Sequence, residues 1–145
     1  MSTVRAIAVV ISAPHDVNLV LTVRRPDDDD DLPGVWGLPA TTVRKGEADS
    51  DAALRLGETK LCSPVTLRNL LSDGTQNRPD NKLYMRLYSA TMTNPEPSLP
   101  ASAGEEGVTF YAEWRWAPMS SLVEGAERGS LCCALALRSH GARAR

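Results

Sequence analysis

Histidine occurs only twice and aromatic residues make up 5% of the chain, with a single phenylalanine. His15 falls in a turn-forming stretch and His140 near the tail, so neither is placed for a catalytic dyad with a nucleophile. Three cysteines, an odd number without a spaced framework, exclude a disulfide scaffold and fit reduced thiols in a cytoplasmic protein. Cys132 and Cys133 are adjacent in a helical pattern and point different ways, so they read as structural thiols and not as a disulfide or metal site. Excess positive charge is also missing: the formal net charge is -2 and the sequence pI about 5.7, which removes the attraction that non-specific nucleic-acid binders need. No apolar run approaches the ~20 residues that span a membrane, and the opening apolar stretch Ala6–Ile11 reads as a strand, since no A-x-A site follows it.

What remains is ordinary globular material. With 42% apolar and 23% charged residues over 145 positions, one domain is expected. It can bury roughly 68–70% of its unfolded surface. Val4–Ser12 and Asn18–Arg25 are rich in β-branched and aliphatic residues and flank the turn formers Ala13–Asp16, which predicts a hairpin. The acidic run Asp27–Asp31 reads as a solvated loop, because adjacent carboxylates repel one another. Val35–Pro39 is a short apolar element and Thr41–Glu47 an irregular loop.

Ser50–Leu61 has a helical pattern, with Ser50 or Asp49 as the cap and Gly57 weakening the middle by about 1 kcal/mol relative to alanine. Val65–Leu71 and Leu83–Met92 alternate as strands joined by a long polar loop, Ser72–Asn81. The proline-rich stretch Thr93–Gly107 is a lid or slack chain. Val108–Trp116 resumes strand character, Pro118 and Ser120-Ser121 open a short helix, and Glu127–Ser139 forms a longer one before a frayed tail at 141–145. Strands adjoin strands here, so the expected fold is α/β (α+β), a mixed β-sheet between helical layers, and not a doubly wound parallel sheet.

The segment Leu32-Pro33-Gly34-Val35-Trp36-Gly37-Leu38-Pro39, followed by Arg44-Lys45-Gly46-Glu47 and Asp51-Ala52-Ala53-Leu54-Arg55, resembles the Nudix hydrolase family. Arg24-Arg25 before the loop and Glu113-Trp114-Arg115-Trp116-Ala117-Pro118 before a short helix add to the likeness. The resemblance implies a Nudix-like α/β/α sandwich in which a loop and helix hold Mg²⁺ against a diphosphate. The family motif runs Gly, five residues, Glu, seven residues, then Arg-Glu-aliphatic-any-Glu-Glu-any-Gly-aliphatic. Glu47 and Arg55 fill their slots at the proper spacing and are implied to be mainly structural, the arginine bridging helix and loop. Thr41 stands at the opening glycine, Leu56, Thr59 and Lys60 at the three helix glutamates, Gly57 at an aliphatic slot and Cys62 at the closing glycine.

With Arg55 as zero, a helix places positions 56, 59 and 60 at roughly 100°, 40° and 140°, on one face. That face carries an aliphatic, a hydroxyl and an ammonium group. Glu58 lies near 300°, on the far side, and reaches the face only with a helix register slip such as a π-bulge near Gly57. Mg²⁺ or Mn²⁺ binding is therefore expected to be weak or absent, with Glu47 as a weak ligand at most. Lys60 either adds positive charge near a phosphate or is a solvated surface lysine.

Glu105 and Glu106 sit where some Nudix enzymes carry a catalytic base and share that expected role with Glu47. Arg24, Arg25, Lys82 and Arg86 are candidate phosphate clamps, and Trp36 a surface on which a base could stack. The expected function is that of a divergent Nudix hydrolase acting on a nucleotide or another small phosphorylated metabolite. The alternatives are an inactive ligand-binding or regulatory module, or a metal-independent biosynthetic enzyme on the same fold. A homodimer is the expected protein partner, if any.

Overall fold

The structure is a computed structural model that describes residues 2–29, 31–100 and 110–143. Its strands are β1 (Thr3–Ala13), β2 (Asp16–Arg24), β3 (Trp36–Gly37), β4 (Ala40–Thr42), β5 (Val65–Asn77), β6 (Lys82–Met92) and β7 (Glu113–Pro118). Helix α1 (Asp49–Leu56) continues into a π-helical turn, Gly57–Leu61. A 3-10 turn, Met119–Leu122, precedes α2 (Val123–Glu127) and α3 (Leu131–Arg143).

β1 is the spine, because it is apolar on both faces. Ala6, Ala8 and Val10 join a core with Leu83, Leu87, Leu131 and Leu135 on the α3 side. Ile7, Val9 and Ile11 join another with Ala52, Ala53, Leu56 and Leu61 on the α1 side. A strand covered on both faces reads as a continuous apolar run, and that is how Ala6–Ile11 looks in the sequence. β1 runs parallel to β6, from Thr3 opposite Lys82 to Ile11 opposite Ala90, and β6 is antiparallel to β5. The result is a seven-stranded mixed sheet with helices on both faces, the expected α/β/α arrangement.

The β1–β2 hairpin forks. Its two strands pair only near the turn, at Ser12 with Val20 and Ala13 with Asp16. Beyond that point the segment Trp36–Thr42 wedges between them: β3 pairs with Val23 and Arg24 of β2, and β4 with Ala6–Ala8 of β1. β7 closes the outer edge of β2.

Several elements differ from the sequence reading. Ala40–Thr42 forms a strand that takes in the first two residues of the loop expected at Thr41–Glu47, because the wedge offers it β1's free edge. The polar stretch Ser72–Asn77 is strand, paired residue by residue with Leu87–Lys82, and only Arg78–Asn81 turn. An edge strand needs no apolar alternation, and at Gly74 a Cβ would lie 2.9 Å from Leu135 Cδ2, so glycine here admits α3. The helix is capped at Ala48 without a side-chain bond. Asp49 instead takes Arg86 and Tyr88, with Arg5 3.5 Å away. The last strand begins at Glu113, residues 108 and 109 lying outside the described residues, and the short and longer terminal helices that were expected are present as α2 and α3, the longer one starting at Leu131 instead of Glu127. Among the described residues no helix is long and apolar enough to cross a membrane.

Candidate functional site

The fork opens a cleft of about 460 Å³, within the range of small-ligand sites. Its apolar floor comes from Ala6, Val23, Leu38, Leu83, Met85 and Leu131, and its polar lining from Arg25, Arg44, Arg55, Lys60 and Arg78, with Asp31 as a counter-charge. Arg55 and Lys60 enter from the α1 side, Leu131 and Cys132 from the start of α3.

Arg55 is fixed by a dense set of acceptors. Its Nε donates to Glu47 Oε2 at 3.0 Å and its Nη2 to Glu47 Oε1 at 2.9 Å and to the Thr42 carbonyl at 2.7 Å. Glu47 also accepts the Arg44 N–H at 3.0 Å. Bonding from Arg55 holds the Glu47 carboxyl far below the usual range, at about 2.

The turn after α1 decides what the helix presents. Gly57 lies against the returning chain: an added Cβ would sit 2.3 Å from the Ser63 carbonyl oxygen and 2.7 Å from the Val65 nitrogen. The Thr59 hydroxyl donates to the Arg55 carbonyl at 2.7 Å, supplying a donor where the ladder widens. A π turn closes longer rings and advances less per residue than an α turn. It therefore retards the face, bringing Lys60 toward its centre and leaving Glu58 behind. A slip at Gly57 is present, but its direction is opposite to the one that would recruit Glu58, which is exposed and outside the cleft lining. Cys62, where the chain turns back, has φ 52°, the left-handed conformation that glycine adopts without strain.

Lys60 is 6% exposed and is not a solvated surface lysine. Its Nζ donates to the Ala40 carbonyl at 2.9 Å and lies 5.3 Å from the Tyr111 ring centroid. Tyr111 is itself anchored on Ala40, accepting its N–H at 2.9 Å and donating to its carbonyl at 3.1 Å. Among the described residues no carboxylate pairs with Lys60. Desolvation, reinforced by Arg25 and Arg55, lowers its amine to about 8.

A model of the NUDIX domain matches residues 2–131. The chain belongs to the NUDIX domain family. Solved structures of similar fold include the MutT protein of Methanosarcina mazei Go1, with TM-score 0.77 and 12% identity over 99% of this chain and 97% of that one. A C. elegans Ap4A hydrolase binary complex gives TM-score 0.67 and 14% identity, covering 98% and 96%. The NUDIX domain of Shewanella oneidensis NrtR, complexed with ADP ribose, gives TM-score 0.60 and 17% identity, covering 86% and 78%. No curated protein matches the chain.

The NUDIX cleft gathers some of the residues singled out from sequence and leaves others outside. Arg25 and Lys60 line it. Arg24 does not, being held by Glu113 and Asp27 at 2.9 Å each. Arg86 is bound to Asp49 and Tyr84, and Lys82 is exposed at the start of β6. Trp36 also lies outside the lining, under the Arg115 guanidinium 4.0 Å from its ring centroid. Glu105 and Glu106 fall outside the described residues. The acidic run is not merely solvated: Asp29 approaches Arg25 at 3.1 Å and accepts the Leu32 N–H at 2.8 Å, while Asp31 pairs with Arg78 at 3.1 Å.

Sequence reasoning missed Arg44, Arg78, Tyr111 and Cys132 as lining residues. Only Arg44 carried a signal, since it stands in the motif-like segment. The Cys132 thiol is held below its usual range, chiefly by bonding with Cys133 and then with Ser130.

Proposed function

We propose that this NUDIX chain takes a small phosphorylated ligand of the nucleotide class into the forked cleft and holds its anionic part with protein cations in place of a divalent ion. The observation that carries this reading is Lys60, a buried ammonium on the helix face beside Arg25 and Arg55, with no carboxylate partner among the described residues. A cation so placed is best neutralised by an anion that comes from outside, and phosphate oxygens suit an arginine- and lysine-lined wall.

A divalent ion does not fit the described residues. Leu56 is fully buried in the core, the Thr59 hydroxyl is committed to Arg55, and Lys60 would repel the ion. Both Glu47 oxygens are already engaged by Arg55, and no group of three or more His, Cys, Asp or Glu side chains among the described residues could hold a metal. The ADP ribose in the NrtR structure supports a ligand of this class.

A second reading, hydrolysis of a phosphoanhydride or phosphoester, draws on family membership and on the MutT and Ap4A hydrolase neighbours. Calorimetry with ADP, ADP-ribose and pyrophosphate in excess EDTA separates the two. Binding in EDTA that weakens about tenfold or more in Lys60→Met, as loss of a charge-assisted contact requires, is the expected result. Ligand binding that appears only with Mg²⁺, or metal-dependent release of phosphate, would overturn the metal-free reading in favour of hydrolysis.

A further inference from the structure

The Lys60 side chain is nearly buried and lines the cleft, and that makes more of it than a charge. Its Nζ sits on one carbonyl and one ring face, with apolar walls around it and two guanidinium groups nearby. We propose that Lys60 is a carbonyl-capturing amine, and that the cleft takes a phosphorylated aldehyde or ketone, such as an open-chain sugar phosphate, which it binds covalently and reversibly as an imine.

Three observations meet here. Enclosure and the neighbouring guanidinium groups disfavour the ammonium form, the two devices by which proteins turn lysine into a nucleophile. Among the described residues no carboxylate partners the amine to cancel that effect. Arg25, Arg44 and Arg78 line the same cleft with groups that suit phosphate, so one ligand can be anchored by its anion while its carbonyl lies toward Nζ.

The step balances without a further reactant. The neutral Nζ lone pair forms a bond to the carbonyl carbon, the carbonyl π pair moves to oxygen, and an amine proton passes to that oxygen to give a carbinolamine. Loss of water then gives the imine. No atom changes oxidation state overall, and hydrolysis reverses the sequence.

The inference rests on the phosphate-ligand reading for the anchoring of the anion. It can be tested on the intact chain because the sequence holds only two other lysines, Lys45 and Lys82. Both are exposed and act as internal controls. The full-length protein is incubated at pH 8 with pyridoxal 5′-phosphate, a phosphorylated aldehyde, or with phosphate-free pyridoxal. Borohydride then reduces any imine, and peptide mass spectrometry locates it.

At that pH about half of the Lys60 amine is neutral, given its lowering to about 8, whereas an ordinary lysine is neutral to well under ~1%. The expected result is labelling of Lys60 at least about tenfold above Lys45 and Lys82, suppressed by pyrophosphate and weak with pyridoxal. Lys60→Arg should lose the adduct, whereas Lys45→Arg, at an exposed lysine outside the cleft lining, should leave both the adduct and pyrophosphate binding unchanged. Equal labelling of the three lysines, or none at Lys60 while pyrophosphate still binds, would overturn the capture of a carbonyl and leave the phosphate reading standing. Labelling of Lys60 that is indifferent to pyrophosphate and equal with pyridoxal would overturn the proposed ligand class together with the phosphate reading.

Discussion

Gly57→Ala separates a local expectation from a tertiary one. Helix propensity alone favours alanine by about 1 kcal/mol. In the folded chain the new methyl would lie 2.3 Å from the Ser63 oxygen, 2.7 Å from the Val65 nitrogen and 2.9 Å from Val65 Cγ2. Two of these are backbone atoms of the segment that leads into β5, so relief requires moving the chain and not merely a rotamer. Overpacking of this kind costs about 3 kcal/mol at the upper end of its usual range, leaving a net loss of about 2 kcal/mol. For a chain of this size that corresponds to a fall in Tm of about 6–8 °C. Thermal unfolding followed by circular dichroism reads it directly, with Gly141→Ala as the control. A Cβ at Gly141 meets nothing within 4 Å, so that substitution should raise Tm slightly. A Gly57→Ala protein as stable as the parent would refute the close approach, and with it the account of why the turn is π-helical.

Other expectations concern single groups. Glu47→Gln should cost about 1–2 kcal/mol at neutral pH after allowance for screening of a partly open pair. The Glu47 carboxyl titrates near 2 when folded against 4.5 ordinarily, so its contribution is complete above about 4.5 and is lost as pH falls toward 2. Acid denaturation curves of parent and variant should therefore converge below that window, and parallel curves would exclude the linkage. Cys62→Gly should stabilise the chain by up to about 1 kcal/mol by removing left-handed strain, read as a rise in the urea midpoint; a fall would count against it. Tyr111→Phe leaves the half-buried Ala40 N–H without its acceptor and should cost about 1–3 kcal/mol, while a neutral result would show that this hydroxyl is not its partner.

The sheet's spine was readable because β1 is apolar on both faces and shows it as an unbroken run. β5 was readable only to Leu71. Its second half is polar and lies at the sheet edge, where backbone pairing with β6, and not apolar alternation, holds it in place. β4 is too short to show a period, and its existence depends on β1 and β2 having parted. At the site, the Glu47–Arg55 spacing was visible along the chain, but the burial of Lys60 was not. That burial needs Tyr111, distant in sequence, to come beneath the amine, and it needs a widened turn whose cause is contact between Gly57 and the chain after Ser63. Tertiary approach of this kind leaves no local period to read.

The parting of β1 and β2 also bears on how freely such a chain can change. Hydrogen bonds along Trp36–Thr42 prop the hollow open, and main-chain ladders are indifferent to which side chains they carry. Acidic residues on the neighbouring helix can then be exchanged for aliphatic, hydroxyl or basic ones without the receptacle collapsing. Shape and reactivity thus rest on different atoms, the hollow on the main chain and its chemistry on the side chains that face it.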